Sequence, residues 1–236
     1  MPTPHFISRL LTTFVVWTIP LLLVLFWALA LVVASPLFLQ VEYTRPSFPP
    51  DAYGFSTQDR LTYAPFGITY LLSSYDITWL AEKTLVGKLC YPPQSIPCSL
   101  FNEGELKHMQ DVKNVTWFTF VGFCLLLALH ILAFAFFWRS KNMQAWYISL
   151  LQGCILTICA IIGIIIVAVT AWDLFFDTFH GLFFAEGTWR FYYSDTLIRL
   201  YPEQFWLDAS LVIGFLVTFS AFGIAIIARR VTLRAL

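Results

Sequence analysis

Charge is scarce in this chain of 236 residues: 12% are Asp, Glu, Lys or Arg, against 59% hydrophobic and 18% aromatic. A soluble domain of this length cannot hide so much apolar surface, which excludes an ordinary water-soluble globular fold. Four segments lack Lys, Arg and Glu altogether: Leu10–Ala34, Val115–Trp138, Ala145–Ala171 and Trp206–Ala228. Glycine-rich phosphate loops, a Gly-x-Ser-x-Gly elbow, Cys-x-x-Cys, His-x3-His, His-Glu-x-x-His and internal repeats are also missing. Those absences remove the common signatures of nucleotide-phosphate, serine-hydrolase and zinc chemistry. The formal net charge is zero and no basic tract stands out, so no nucleic-acid partner is expected.

What is present is membrane-spanning sequence. Each of the four segments reaches the length of about 20 apolar residues that a transmembrane helix needs. The small residues of "VVASP" after the first one invite a reading as a cleaved signal peptide. Its apolar run is too long for a signal h-region and only Arg9 precedes it, so an uncleaved helix is expected. Arg9, Arg139, Lys141, Arg229, Arg230 and Arg234 occupy the N-terminus, the loop Arg139–Gln144 and the tail, with no acid among them. All 14 acidic residues fall in residues 35–114 and 172–205 or at Asp208. The positive-inside rule then predicts that both termini are cytoplasmic. The expected architecture is four transmembrane α-helices (residues 10–34, 115–138, 145–171 and 206–228) with a mixed extracytoplasmic domain (35–114) and a second outer, aromatic segment (172–205).

Within residues 35–114, "LFLQVEYTR" alternates weakly and predicts a strand. Ser56 with Asp59 three residues on marks a helix start, and Pro65 and Gly67 are expected to interrupt that helix. "TWLAEKTLVGKLC" suits a short strand or helix. Cys90 and Cys98 flank prolines in "LCYPPQSIPCSL", an excursion whose ends can meet, and an outer compartment permits a disulfide. Cys124, Cys154 and Cys159 lie in spans and read as small buried apolar residues.

Ionisable groups cluster where the spans meet the outer side. "AWDLFFDTFHGLFF" sets Asp173, Asp177 and His180 among aromatics, at spacings i, i+4 and i+7 that share one helical face. "NEGELKHMQDVKNV" leads into the second span, with His108 and Asp111 at i, i+3. The short Arg139–Gln144 loop makes helices two and three antiparallel neighbours. If both helices continue outward, the two histidines stand roughly 10 and 14 Å above their spans, at similar heights. Each has a carboxylate in reach to orient it, an arrangement suited to acid–base chemistry near neutral pH. The blander alternative is an interfacial aromatic belt with solvated acids. His130 lies inside the second span, and a structural hydrogen bond, for instance to Gln152, is expected for it.

The stretches "ELKHMQDVKNV" and "FFDTFHGLFFAEGTWRFYYSDTLIRLYPEQFW" resemble the signatures of a bacterial four-helix membrane family, the lipoprotein intramolecular transacylases (Lit), and the likeness extends over most of the chain. The resemblance implies a membrane acyltransferase acting on diacylglyceryl-modified lipoproteins among membrane lipids. It implies transfer of the sn-2 acyl chain to the α-amine of the lipoprotein's N-terminal cysteine, with His108 and His180 as the catalytic pair and no cofactor. Arg190 and Tyr193 are candidates, from position and donor type, for holding the oxyanion or the thioether-glyceryl segment. Two other classes stay open: a metal-dependent hydrolase using His108, His180, Asp173 and Asp177 as ligands, and a non-enzymatic scaffold.

Overall fold

The computed structural model describes residues 4–234, and nine α-helices account for most of them. The chain divides into two compact units. The first comprises Met1–Leu29, Thr119–Ala171 and Leu211–Leu236. It is built from α1 (Pro4–Val33), most of α5 (Glu103–Arg139), α6 (Met143–Thr170) and most of α9 (Glu203–Arg234). These four helices are long and apolar enough to cross a membrane. Their surfaces are inverted relative to a soluble protein: Trp17, Leu125, Val169 and Phe219 are 67%, 62%, 61% and 68% exposed. Such a shell is stable only against lipid.

Inside this unit Val15, Ile19, Ala133, Phe137, Cys154, Val217 and Ala221 form the core. Gly153 permits the approach of α1 to α6, since a Cβ there would meet the Ile19 side chain at 3.0 Å and the Val16 carbonyl at 3.2 Å. Small residues at such crossings are how lipid-embedded helices gain packing. His130 is buried, but its partners differ from the expected Gln152. Its Nδ1–H donates to the Leu126 carbonyl (2.8 Å) and its Nε2 lies 3.2 Å from the Thr18 hydroxyl of α1. Cys154 is buried as expected, whereas Cys124 and Cys159 are exposed on helix surfaces. The α5–α6 connection is shorter than the sequence suggests, only Ser140–Asn142, with Lys141 at φ 55°.

The second unit, Ala30–Phe118 and Trp172–Ser210, is mostly helical rather than mixed. "LFLQVEYTR" lies largely within a helix, α2 (Ser35–Thr44), not a strand. The buried residues Ser35, Leu39, Glu42 and Tyr43 follow a helical period, and Pro36 suits a helix's first turn. α3 (Thr57–Leu72) starts with the expected Ser56–Asp59 capping box but runs through Pro65 and Gly67. Gly67 is there for contact: a Cβ would stand 2.8 Å from the Tyr201 hydroxyl. α4 (Ile77–Ala81) is followed by a pair of two-residue strands, β1 (Thr84–Leu85) and β2 (Cys98–Ser99), antiparallel with Leu85 opposite Cys98. Cys90 and Cys98 are bridged.

Two further departures matter for the site. The third span stops at Thr170, and Ala171 (φ −146°, ψ 61°) separates it from α7 (Trp172–Phe183), so helix three does not continue to His180. A run of β-branched residues ends there, and Asp173 favours a new helix N-terminus. Between α7 and α9 lies α8 (Thr196–Leu200), whose Arg199 organises the unit. Its buried guanidinium donates to the carbonyls of Leu89 (3.0 Å) and Tyr53 (3.1 Å) and to Asp51 (3.3 Å), against the Phe55 ring. Arg60 continues the network by donating to the Arg199 carbonyl (2.9 Å). Asp208, an acid near the start of α9, is held by Arg45 and by Gln204 (2.9 Å).

Candidate active site

The first three turns of α5 carry polar residues, and an apolar run follows from Val115 onward. Asn102 caps the helix by accepting from the Glu105 amide (2.9 Å), and Glu105 accepts from the Asn102 amide in return (2.7 Å). The other Glu105 oxygen accepts from the Leu197 amide of α8 (2.6 Å), which ties the start of α5 to the Arg199 framework. His108 lies one turn further along and inherits that anchoring.

His108 is only 7% exposed. Its ring meets Phe184 and Phe191 edge-on, with centroids 4.8 and 5.5 Å away. The His180 ring lies 6.3 Å from it, with planes 24° apart. His180, half-buried, packs on Phe176 (3.9 Å) and Trp189 (4.8 Å). The two histidines that the sequence placed on separate segments are thus brought together inside one aromatic cluster.

Their orienting partners are not the expected carboxylates. His180 Nδ1–H donates to the Phe176 carbonyl (2.9 Å). Because a carbonyl only accepts, this bond sets the tautomer and leaves Nε2 as the lone pair. His108 Nδ1 is buried with no hydrogen-bond partner among the described residues. No hydrogen bond among those residues joins Asp111 to His108. Asp177 forms an ion pair with Arg190 (2.9 Å) and acts on His180 through its charge. Asp173 is exposed, and Tyr193 donates to Glu203 (3.1 Å). Arg190 and Tyr193 are both exposed and both engaged with acids.

Burial, with the neighbouring His180 adding to it, drives the His108 pKa down to about 4. Burial also lowers that of His180, opposed by the Phe176 carbonyl and by Asp177. Two neutral imidazoles in an apolar pocket are proton acceptors and hydrogen-bond donors, and His180 is the one with local support for a transient positive charge. A zinc-type donor set is not assembled: among the described residues no three His, Cys, Asp or Glu side chains converge.

The family model described as "Lipoprotein intramolecular transacylase Lit" matches residues 13–206. The chain belongs to the Lit family. Membership makes it a bacterial membrane acyltransferase, a lipoprotein intramolecular transacylase, as the resemblance implied. An uncharacterized protein of Aquifex aeolicus is 31% identical over 183 residues, covering 77% of each chain. The Lit structure from Bacillus cereus shares the fold with a TM-score of 0.76 at 19% identity over 97% of both chains. A variant of the same protein with one histidine replaced by arginine matches with a TM-score of 0.68, at 19% identity over 97% of this chain and 93% of that one.

Several residues of the candidate site carry no recognisable signal in the sequence. Phe184 and Phe191, whose rings enclose His108, and Trp189 against His180 look like belt aromatics when read in order along the chain. Arg199 carried one available signal, a charge amid apolar neighbours in a region of the chain expected to face water, whereas Glu105, among polar and charged neighbours, carried none although both are buried.

Proposed function

We propose that His108 and His180 together drive the O-to-N transfer of the sn-2 acyl chain within a diacylglyceryl-modified lipoprotein. His180 Nε2 takes a proton from the N-terminal α-amine as that nitrogen attacks the sn-2 ester carbonyl and the C–N bond forms. The α-ammonium has a pKa near 7.7–8.0, so the neutral, nucleophilic amine is well populated near neutral pH, and the proton His180 accepts is the one that becomes acidic as the C–N bond forms. The C–O bond to glycerol then breaks, and the glyceryl oxygen takes the proton back from the His180 imidazolium. His108, too buried to hold charge easily, donates a hydrogen bond to that oxygen. One proton moves from nitrogen to oxygen and the enzyme ends as it began.

The observation that carries this reading is the His108–His180 pair, 6.3 Å apart and walled by Phe176, Phe184, Phe191 and Trp189. The substrate contains both acyl donor and acceptor, so positioning them away from water is most of the work. The aromatic faces of α7 suit acyl chains, and the exposed pairs Arg190–Asp177 and Tyr193–Glu203 suit the polar thioether-glyceryl segment. The charge distribution of the sequence supports a site on the extracytoplasmic side with both termini cytoplasmic.

Mass spectrometry of lipoprotein N-termini from cells with and without this protein tests the reading. The N-acyl lyso form is expected only where the protein is present. Unchanged diacylglyceryl N-termini in its presence would favour the scaffold alternative.

A further inference from the structure

The aromatic cluster contains a donor that the acid–base scheme leaves unused. Trp189 is 6% exposed, and its indole Nε1 is buried without a hydrogen-bond partner among the described residues. A buried indole N–H normally finds an acceptor, and leaving it unmade costs free energy. Its ring centroid is 4.8 Å from that of His180 and 5.9 Å from Phe176. Resting on the acyl-transfer reading above, we propose that the Trp189 N–H is the oxyanion donor of the reaction, receiving the sn-2 carbonyl oxygen as the tetrahedral intermediate forms.

The chemistry fits an oxygen ligand. An indole N–H donates and does not accept, so its missing partner carries a lone pair. When the amine attacks, the carbonyl π pair moves onto oxygen; when the intermediate collapses, that pair re-forms the carbonyl and the glyceryl oxygen leaves. Trp189 keeps its proton throughout. Arg190 and Tyr193 are exposed and already paired with acids, which leaves Trp189 as the enclosed donor beside the base. The Arg190 guanidinium lies 4.9 Å from the Trp189 ring centroid, where its positive charge polarises the indole and strengthens the N–H as a donor. Arg190 is thereby a positioning residue that acts through the ring. The N–H is covered in this structure, so the acyl chain reaches it by parting the rings of α7, a helix none of whose residues is buried.

The test replaces Trp189 alone with benzothienylalanine by amber suppression, which puts sulfur in place of the N–H at nearly constant shape, alongside Trp189→Phe. The purified full-length protein is assayed on a synthetic diacylglyceryl cysteine peptide, with N-acyl lyso product read by mass spectrometry. The expected loss is about 10²–10³-fold in kcat. KM should stay within threefold, and thermal unfolding should be unchanged or slightly raised because an unmet donor has gone. Trp172 is the comparison: its Nε1 is likewise buried and unpartnered, but its ring packs on Phe175 and Phe176. The same replacement there should lower kcat less than tenfold.

A kcat within threefold of wild type in the Trp189 variants overturns the proposal, as does an equal loss at Trp172. Absence of product from the wild type overturns the acyl-transfer reading and this one with it. A productive wild type with undiminished Trp189 variants overturns this one alone.

Discussion

His108 and His180 stand with ring centroids 6.3 Å apart, and among the described residues neither is hydrogen-bonded to a carboxylate. One is oriented by a backbone carbonyl and the other by burial between phenylalanines. This differs from the hydrogen-bonded His–carboxylate pairing of many hydrolytic sites. It suits a reaction in which the proton returns within one turnover.

If the pair acts as a unit, His108→Ala and His180→Ala should each lower turnover by about 10²–10⁴-fold, with the double variant little worse than either single one. Product quantified by mass spectrometry at matched protein level is the measurement. Near-normal turnover by His180→Ala would return the cluster to an interfacial anchor.

The pH behaviour is set by burial. Both imidazoles titrate below the ordinary histidine value of about 6.5, His108 at about 4. The base form therefore persists in mildly acidic solution, and the acid limb of activity should follow the substrate's α-amine, near 7.7–8.0, rather than either histidine. Stability moves with the same sign. Between about 6.5 and about 4 the unfolded chain binds a proton that folded His108 refuses, so stability falls as pH drops through that window and levels off below it. Thermal unfolding across pH 4–7 should show this slope, and His108→Gln should flatten it.

Arg199 is the framework residue most costly to remove. Arg199→Ala leaves Asp51 buried and unpaired and strips two carbonyls of their donor, a class of change worth about 3–5 kcal/mol. The expected result is loss of accumulation in the membrane or a large drop in melting temperature. Arg199→Lys should rescue little, because an ammonium cannot reproduce the guanidinium's planar fork.

His130 should behave oppositely to the paired histidines. His130→Ala and Thr18→Val each remove the same interhelical contact, and such bonds in lipid are worth about 0.6–2 kcal/mol. Both should reduce melting temperature modestly and leave kcat unchanged, and the double variant should add little.

The disulfide and the orientation can be read in one labelling experiment. Cys90 and Cys98 should react with a membrane-impermeant maleimide from outside intact cells only after reduction. Cys124 and Cys159, on helix surfaces that the membrane reading turns toward lipid, should stay unreactive. Labelling of Cys90 without reductant would remove the bridge, and protection of both after reduction would reverse the orientation. Loss of the bridge through Cys98→Ser should cost about 2–3 kcal/mol on the loop-entropy estimate.

The sequence by itself determined the four spans, the capping box at Ser56 and the two histidines to watch, because these rest on local quantities: run length, residue type and spacing along one helix. It also marked His108 as an outward extension of the second span, since no helix breaker stands before Val115. Only the tertiary structure decided the rest. The weak alternation of "LFLQVEYTR" resolved into α2 because burial of Leu39 and Tyr43 against other segments outweighs a marginal local preference. The break at Ala171 begins a new helix, so His180 reaches His108 from α7 rather than along a continuous third span. The bonds of His180 to Phe176, of Glu105 to Leu197 and of Arg199 to Leu89 are choices among many available acceptors and donors. Which partner wins is set by how segments distant in the chain pack, and no period in the sequence encodes that.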